Sequence, residues 1–215
     1  ESYFFRLSKY HDWLYEYIEK NDEFIVPQSR KKEILGFLRT ERLKDFSISR
    51  TSFKWGIDVP DSKTHIMYVW IDALTNYISS LGGWESEEYE HYWNQTIHFL
   101  GKDILRFHAV YWPCMLKAAG VPLPQHIVAH GWWTISDKKI SKSDPATKVN
   151  PVKIANDITI DGLRFYLLKE TSLDRDGNLD YNHLIEVLNT YLANKIGNLV
   201  NRTVSMVNKY LEGNV

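Results

Sequence analysis

Three short runs of almost uninterrupted apolar residues, at 66–71, 96–100 and 127–129, set the tightest limit on what this chain can fold into. Runs of this length fit strands buried on both faces, and the first two pass directly into segments with helical spacing. Strand-then-helix units of this kind build a parallel sheet covered by helices, in which ligands sit beyond the C-terminal ends of the strands. Asp72, Gly101-Lys102-Asp103 and His130-Gly131-Trp132 are therefore expected at one rim.

The flanks are helical. Between residues 7 and 43, Leu14, Ile18, Ile34, Leu35 and Leu38 recur at three- or four-residue steps, and Pro27 separates two helices. Residues 46–60 lose that period and read as an extended connection. Gly82-Gly83 and the acidic run 85–90 read as a solvated loop. Beyond Pro151, where a second, helical domain is expected to begin, no further strand is expected, and Leu184, Leu188, Tyr191, Ile196, Leu199, Val204 and Val207 give a long amphipathic helical pattern up to Gly213. With 44% hydrophobic and 25% charged residues in 215, and no run of about 18 apolar residues, an α/β globular chain without a membrane span is expected. The net charge of -1 excludes a generally basic nucleic-acid binder, so any RNA contact must come from local clusters. Cys114 is the only cysteine, which excludes an internal disulfide and a cysteine-based zinc site and fits a reducing compartment.

Several short segments have the composition of a nucleotide site. Lys138-Lys139-Ile140-Ser141-Lys142-Ser143 puts lysines and hydroxyls just past a strand end, where positive charge can meet a polyphosphate, although a solvated loop has the same composition. Gly101 allows close backbone approach, and Asp103 can accept from ribose hydroxyls or simply cap a helix. Trp70, Asp72, Ala73 and Tyr77 on one segment, and Ile104, Phe107, His108, Tyr111 and Trp112 on another, are either an aromatic core stripe or the wall of a side-chain pocket. Arg50 is either a supporting residue or a surface arginine beside a strand. Asn198 and Arg202, four apart on one helix face, suit either solvation or hydrogen bonding to unpaired bases.

These segments resemble, in order and spacing, the methionyl branch of the class I aminoacyl-tRNA synthetases. Lys139-Ile140-Ser141-Lys142-Ser143 is similar to the KMSKS signature, with Ile140 in place of methionine, and His130-Gly131-Trp132 lies where that family contacts adenine. Gly101-Lys102-Asp103 with His108 resembles the GxDxxxxH motif. Residues 70–77 and the helix facing them resemble the methionine pocket, residues 46–50 the return from the connective insertion, and 194–202 the anticodon-reading helix.

The resemblance implies the second half of a Rossmann-type parallel-sheet nucleotide-binding domain followed by an α-helical anticodon-binding domain. Residues 1–60 would end the connective insertion and return to the catalytic fold. Residues 61–150 would hold the second half of the catalytic domain, and 151–215 the stem-contact region and the start of the anticodon domain. It implies activation of L-methionine by ATP with Mg2+ and transfer to tRNA(Met) in the cytoplasm, with a mitochondrial setting also compatible. Lys139 and Lys142 would be catalytic. Gly101, Asp103, His130, Gly131 and Trp132 would bind ATP with them. Trp70, Ala73, Tyr77, Ile104, Phe107, His108 and Trp112 would bind methionine, Asn198 and Arg202 the anticodon, while Arg50 and Asp72 support the site; no protein-held metal is implied. The family's upstream His-Ile-Gly-His signature does not occur in these residues. A fragment that needs the N-terminal half of the synthetase, and is inactive alone, is therefore expected. The alternatives are another class I synthetase, such as a leucyl or cysteinyl type, and a non-catalytic synthetase-derived RNA-binding module.

Overall fold

The computed structural model describes residues 2–214, whose contacts gather into two compact units that divide after His130. The first unit holds a three-stranded parallel sheet in the spatial order Ile25–Val26, His126–His130, Ile97–Gly101. Its register sets Gly101 beside His130, so two of the expected rim residues end adjacent strands. The strand Ile25–Val26 lies in a segment whose sequence signals only a break between helices. Two residues are too few to carry a period, and the pairing with Ile127 and Val128 supplies what local pattern lacks.

The helices His11–Lys20 and Gln28–Thr40 form as their spacing predicts. Leu14, Ile18, Ile34 and Leu38 are buried in one cluster with Ile25, Leu100, Ala109 and Ile127, which fixes the helices against the sheet. Pro27 sits at the start of the second helix, where its missing N–H costs nothing.

The first apolar run differs from expectation. Only Ile66–Met67 is extended, and it pairs antiparallel with Ser49–Arg50 rather than joining the parallel sheet. The helix Val69–Ser79 takes the rest of the run, so Asp72 lies in a first helical turn and not beyond a strand. Leu74 and Ile78, one turn apart, are buried with Trp93, Trp112 and Leu116, and this packing outweighs the strand preference of Val69, Trp70 and Ile71. The run at 96–100 is a strand, but it alternates: His98 and Leu100 are buried, whereas Ile97 is 53% and Phe99 66% exposed. The acidic run is also not a plain loop. Glu87–Tyr92 is a helix capped by Ser86 Oγ, which accepts from the Tyr89 amide, and its first-turn carboxylates face the positive end of the helix.

In the second unit Trp133–Ile135 and Lys138–Lys139 form an antiparallel hairpin through Ser136 and Asp137, both at positive φ. Strands do not stop at Pro151: Gly177–Asn178 pairs parallel with Trp133–Ile135. The signal is missing because Gly and Asn are poor strand formers, while here Gly177 lies flat against the Trp133 ring, where a Cβ would come within 2.9 Å of a ring carbon. Pro151–Ile158 and Ile160–Glu170 are capped by Asn150 and Thr159. The long helical pattern is present as Tyr181–Val187, Leu188–Gly197 with π-type turns, and Asn198–Leu211. Leu163, Tyr166, Leu184 and Val187 form the core of this unit. Among the described residues no helix is long and apolar enough to cross a membrane.

Candidate active site

In the first unit the two aromatic segments face each other. Trp70 and Phe107 stack with centroids 3.8 Å apart and planes 9° from parallel. Tyr77 reaches His108, with Oη 2.9 Å from Nε2, and His108 Nδ1 lies 3.0 Å from the Ile104 carbonyl. A carbonyl only accepts, so Nδ1 carries the ring proton, Nε2 is bare, and the Tyr77 hydroxyl donates to it. Burial lowers the His108 pKa, offset in part by the bond to Ile104, which keeps the ring neutral at pH 7. Burial likewise raises that of Tyr77.

The helix facing Tyr77 carries π-type turns at Phe107–Tyr111, which end two residues before Pro113. Proline cannot donate to the carbonyl four residues back, and the wider turns accommodate that loss. They occur where Phe107, His108 and Tyr111 project. His108 and Trp112 are each 1% exposed, whereas Trp70, Tyr77, Ile104 and Phe107 are half-buried and Ala73 is exposed. The aromatic cluster is fully buried at His108 and Trp112 and reaches the surface near Ala73.

At the sheet rim, Gly101 ends its strand and Asp103 follows in a short turn, exposed. A Cβ on Gly101 would lie 2.7 Å from Asp103 Oδ1, so glycine lets the carboxylate fold close over the strand end. His130 stacks on Phe99 at 5.3 Å. Arg50 is held by the Ser47 and Ser49 carbonyls at 3.1 and 2.8 Å and lies 4.2 Å over the Tyr68 ring. It is half-buried and anchored, unlike a mobile surface arginine.

The second unit holds the remaining nucleotide candidates. The Gly131 amide donates to the Leu173 carbonyl at 3.1 Å, and a Cβ at this position would lie 2.0 Å from the Arg175 carbonyl oxygen. The Trp132 amide donates to Asp176 Oδ1 at 2.8 Å, and Lys139 Nζ lies 4.5 Å over the Trp132 ring. Lys139 ends the hairpin and Lys142 lies exposed in the irregular segment after it. There Ser141 and Ser143 bond each other at 3.1 Å, and Asp144 turns the chain by accepting from the Ala146 and Thr147 amides. Asn198 and Arg202 are exposed on the helix Asn198–Leu211.

The sequence matches the family model for tRNA synthetases class I (M) over residues 1–204. The chain belongs to the class I methionyl-tRNA synthetase family. It is 51% identical over 209 residues to the methionine--tRNA ligase of Rickettsia conorii, covering 97% of this chain and 41% of that protein. To the corresponding ligase of Bacillus subtilis it is 46% identical over 217 residues, covering 100% of this chain and 32% of the other. The crystal structure of Mycobacterium tuberculosis methionyl-tRNA synthetase bound by methionyl-adenylate superposes with a TM-score of 0.89 at 44% identity, over 99% of this chain and 42% of that one. The chain therefore spans about two-fifths or less of the length of these relatives.

Two side chains of this synthetase-family chain escaped the sequence reading. His98 is 3% exposed on the strand Ile97–Gly101, where its Nε2 accepts from the Trp112 indole at 3.1 Å. Its sequence signal is a histidine on the inward phase of an alternating strand, which an almost continuously apolar run conceals. Asp176, which receives the Trp132 amide, lies in a stretch with no pattern at all, and only the folded chain brings it to residue 132.

Proposed function

We propose that the protein is a methionine–tRNA ligase. The carboxylate of L-methionine attacks the α-phosphorus of ATP, forming the acyl–phosphate bond as the bond to the β-phosphate oxygen breaks and pyrophosphate leaves. A terminal ribose hydroxyl of tRNA(Met) then attacks the adenylate carbonyl, and AMP departs. The observation that carries this reading is the aromatic cluster built by Trp70, Tyr77, Phe107, His108 and Trp112, buried at His108 and Trp112, in a chain about half identical to methionine ligases. A thioether gains about 0.3–1.5 kcal/mol from each aromatic contact, which suits such rings to the methionine side chain.

In this reading Trp70, Ala73, Tyr77, Ile104, Phe107, His108 and Trp112 select the side chain, and Arg50 and Asp72 support them. Gly101 and Asp103 serve the ribose, and His130, Gly131 and Trp132 the adenine. Lys139 and Lys142 neutralise the charge that builds on the leaving pyrophosphate. Among the described residues no group of three or more His, Cys, Asp or Glu is arranged to hold a metal. Magnesium would enter with the phosphates of ATP and screen their charge. Residues 151–215 serve tRNA, with Asn198 and Arg202 reading the anticodon.

ATP–pyrophosphate exchange tests the reading. The full-length protein should exchange in response to methionine and not to leucine or cysteine. The chain of 215 residues by itself, which contains no His-Ile-Gly-His sequence, should give no exchange. Exchange driven by another amino acid would move the protein to another class I specificity. Specific tRNA binding by a full-length protein with no exchange at all would favour a non-catalytic RNA-binding module.

A further inference from the structure

We propose that His98 is a positioning residue for the amino-acid pocket, holding the Trp112 indole and the Tyr77 ring in the arrangement that the substrate side chain meets. The proposal rests on the methionine-activating reading above and adds to it a residue with no direct substrate contact.

An indole N–H can only donate, so the 3.1 Å contact from Trp112 Nε1 requires His98 Nε2 to be bare and fixes the tautomer with the proton on Nδ1. The face of the same imidazole lies 4.2 Å from the Tyr77 ring centroid, and its edge meets His108 at 5.9 Å. Tyr77 in turn donates to His108, and His108 to Ile104. One buried histidine thus touches both hydrogen-bonded chains that fix the pocket's aromatic rings: Trp112 to His98, and Tyr77 to His108 to Ile104. Trp93 closes the remaining side, with ring centroids 6.0 Å apart.

Packing alone does not call for histidine here. The neighbouring inward position on the strand is Leu100, and an apolar ring would fill the space without burying a titratable group. What histidine adds is an acceptor for an indole N–H that would otherwise be buried unpaired. Burial, reinforced by His108, lowers the His98 pKa to about 4, so the acceptor stays bare at neutral pH. The titratable groups in ring contact with it, Tyr77 on the helix Val69–Ser79 and His108 on Phe107–Tyr111, are themselves uncharged there.

The test compares His98→Phe, which keeps a ring but removes the acceptor, with His98→Gln, whose side-chain oxygen restores one, both in the full-length protein. In pyrophosphate exchange the Phe variant should raise KM for methionine about five- to tenfold, the size of one lost hydrogen bond, with KM for ATP unchanged, and the Gln variant should recover most of that loss. The Trp112 indole N–H resonance should be protected from solvent exchange in the wild type and the Gln variant and exposed in the Phe variant. Should His98→Phe fail to fold, His98→Leu removes the acceptor with a smaller side chain and should raise the same KM. A folded Phe variant with wild-type KM, or a Gln variant as impaired as Phe, overturns the proposal while the methionine reading stands. A wild-type protein that exchanges with a different amino acid overturns that reading first and this one with it.

Discussion

The hydroxyl of Tyr77 donates to His108 Nε2 at 2.9 Å, and so its proton is already committed to the protein. Tyr77 therefore acts first on His108, whose orientation it holds between a hydroxyl and the Ile104 carbonyl. Removing it leaves a buried ring nitrogen without a donor, at a cost of about 1–3 kcal/mol. Tyr77→Phe should raise the methionine KM roughly tenfold and lower the urea midpoint, with KM for ATP unmoved. Exchange kinetics alongside urea titration check both effects.

The buried histidine beside this pair makes stability depend on pH. The folded-state pKa of His98, about 4, lies below the ordinary 6.5, so the unfolded chain binds the proton more readily. Its contribution is fully present above pH 6.5 and is lost as pH falls from 6.5 toward 4. The linkage amounts to about 2 kcal/mol at pH 5. Urea unfolding at pH 7.5 and pH 5 should show this drop, and His98→Gln, which has nothing to titrate, should show a smaller one.

How much of this was legible beforehand depends on the kind of signal each residue carries. Leu14, Ile18, Ile34 and Leu38 announce their helices because one face must be buried, and the structure buries all four. The aromatic residues at 70–77 and 104–112 are read as a pocket only through family likeness, since the residues alone favour a core stripe, and the structure does bury His108 and Trp112. The run at 66–71 was misjudged because valine, tryptophan and isoleucine favour strands locally, while Leu74 and Ile78 draw the segment into a helix. The strands Ile25–Val26 and Gly177–Asn178 were invisible because a two-residue strand is defined by its partner.

Two glycines should respond to alanine in opposite directions. At Gly131 a Cβ would lie 2.0 Å from the Arg175 carbonyl oxygen, a backbone atom that cannot rotate away. Gly131→Ala should cost about 1–3 kcal/mol, the usual penalty of overpacking, and should displace the 173–176 segment that holds the Trp132 amide. Gly36, exposed within the helix Gln28–Thr40, has nothing within 4 Å of the same position. Gly36→Ala should stabilise by up to about 1 kcal/mol. Thermal melts of the two variants give the comparison, and equal shifts would contradict it.

Arg202 separates recognition of RNA from chemistry. It is exposed one turn from Asn198 on a helix remote in sequence from every residue proposed to meet ATP or methionine. Arg202→Ala should lower the kcat/KM for aminoacylation of tRNA(Met) by tenfold or more, the roughly 1–3 kcal/mol of a base contact, and leave methionine-dependent exchange at the wild-type rate. A parallel loss in both assays would assign Arg202 to folding instead.

Lys139 and Lys142 carry the same charge in different settings, and that difference predicts how they diverge. Lys139 is fixed at the end of a hairpin with its ammonium 4.5 Å over the Trp132 ring, whereas Lys142 follows in an irregular exposed segment. A charge already held by an aromatic face contributes to binding ATP in its ground state as well as to the transition state. A charge on a segment that can adjust contributes most when the pyrophosphate is leaving. Lys142→Ala should therefore lower kcat for exchange by about a hundredfold with little change in KM for ATP, the pattern of an interaction made in the transition state. Lys139→Ala should lower kcat and also raise KM for ATP, because Trp132 loses its cation as well. Lys139→Arg, which keeps a cation over the ring, should recover the KM more fully than the kcat. Indistinguishable kcat and KM changes for the two alanine variants would remove the distinction drawn from their settings.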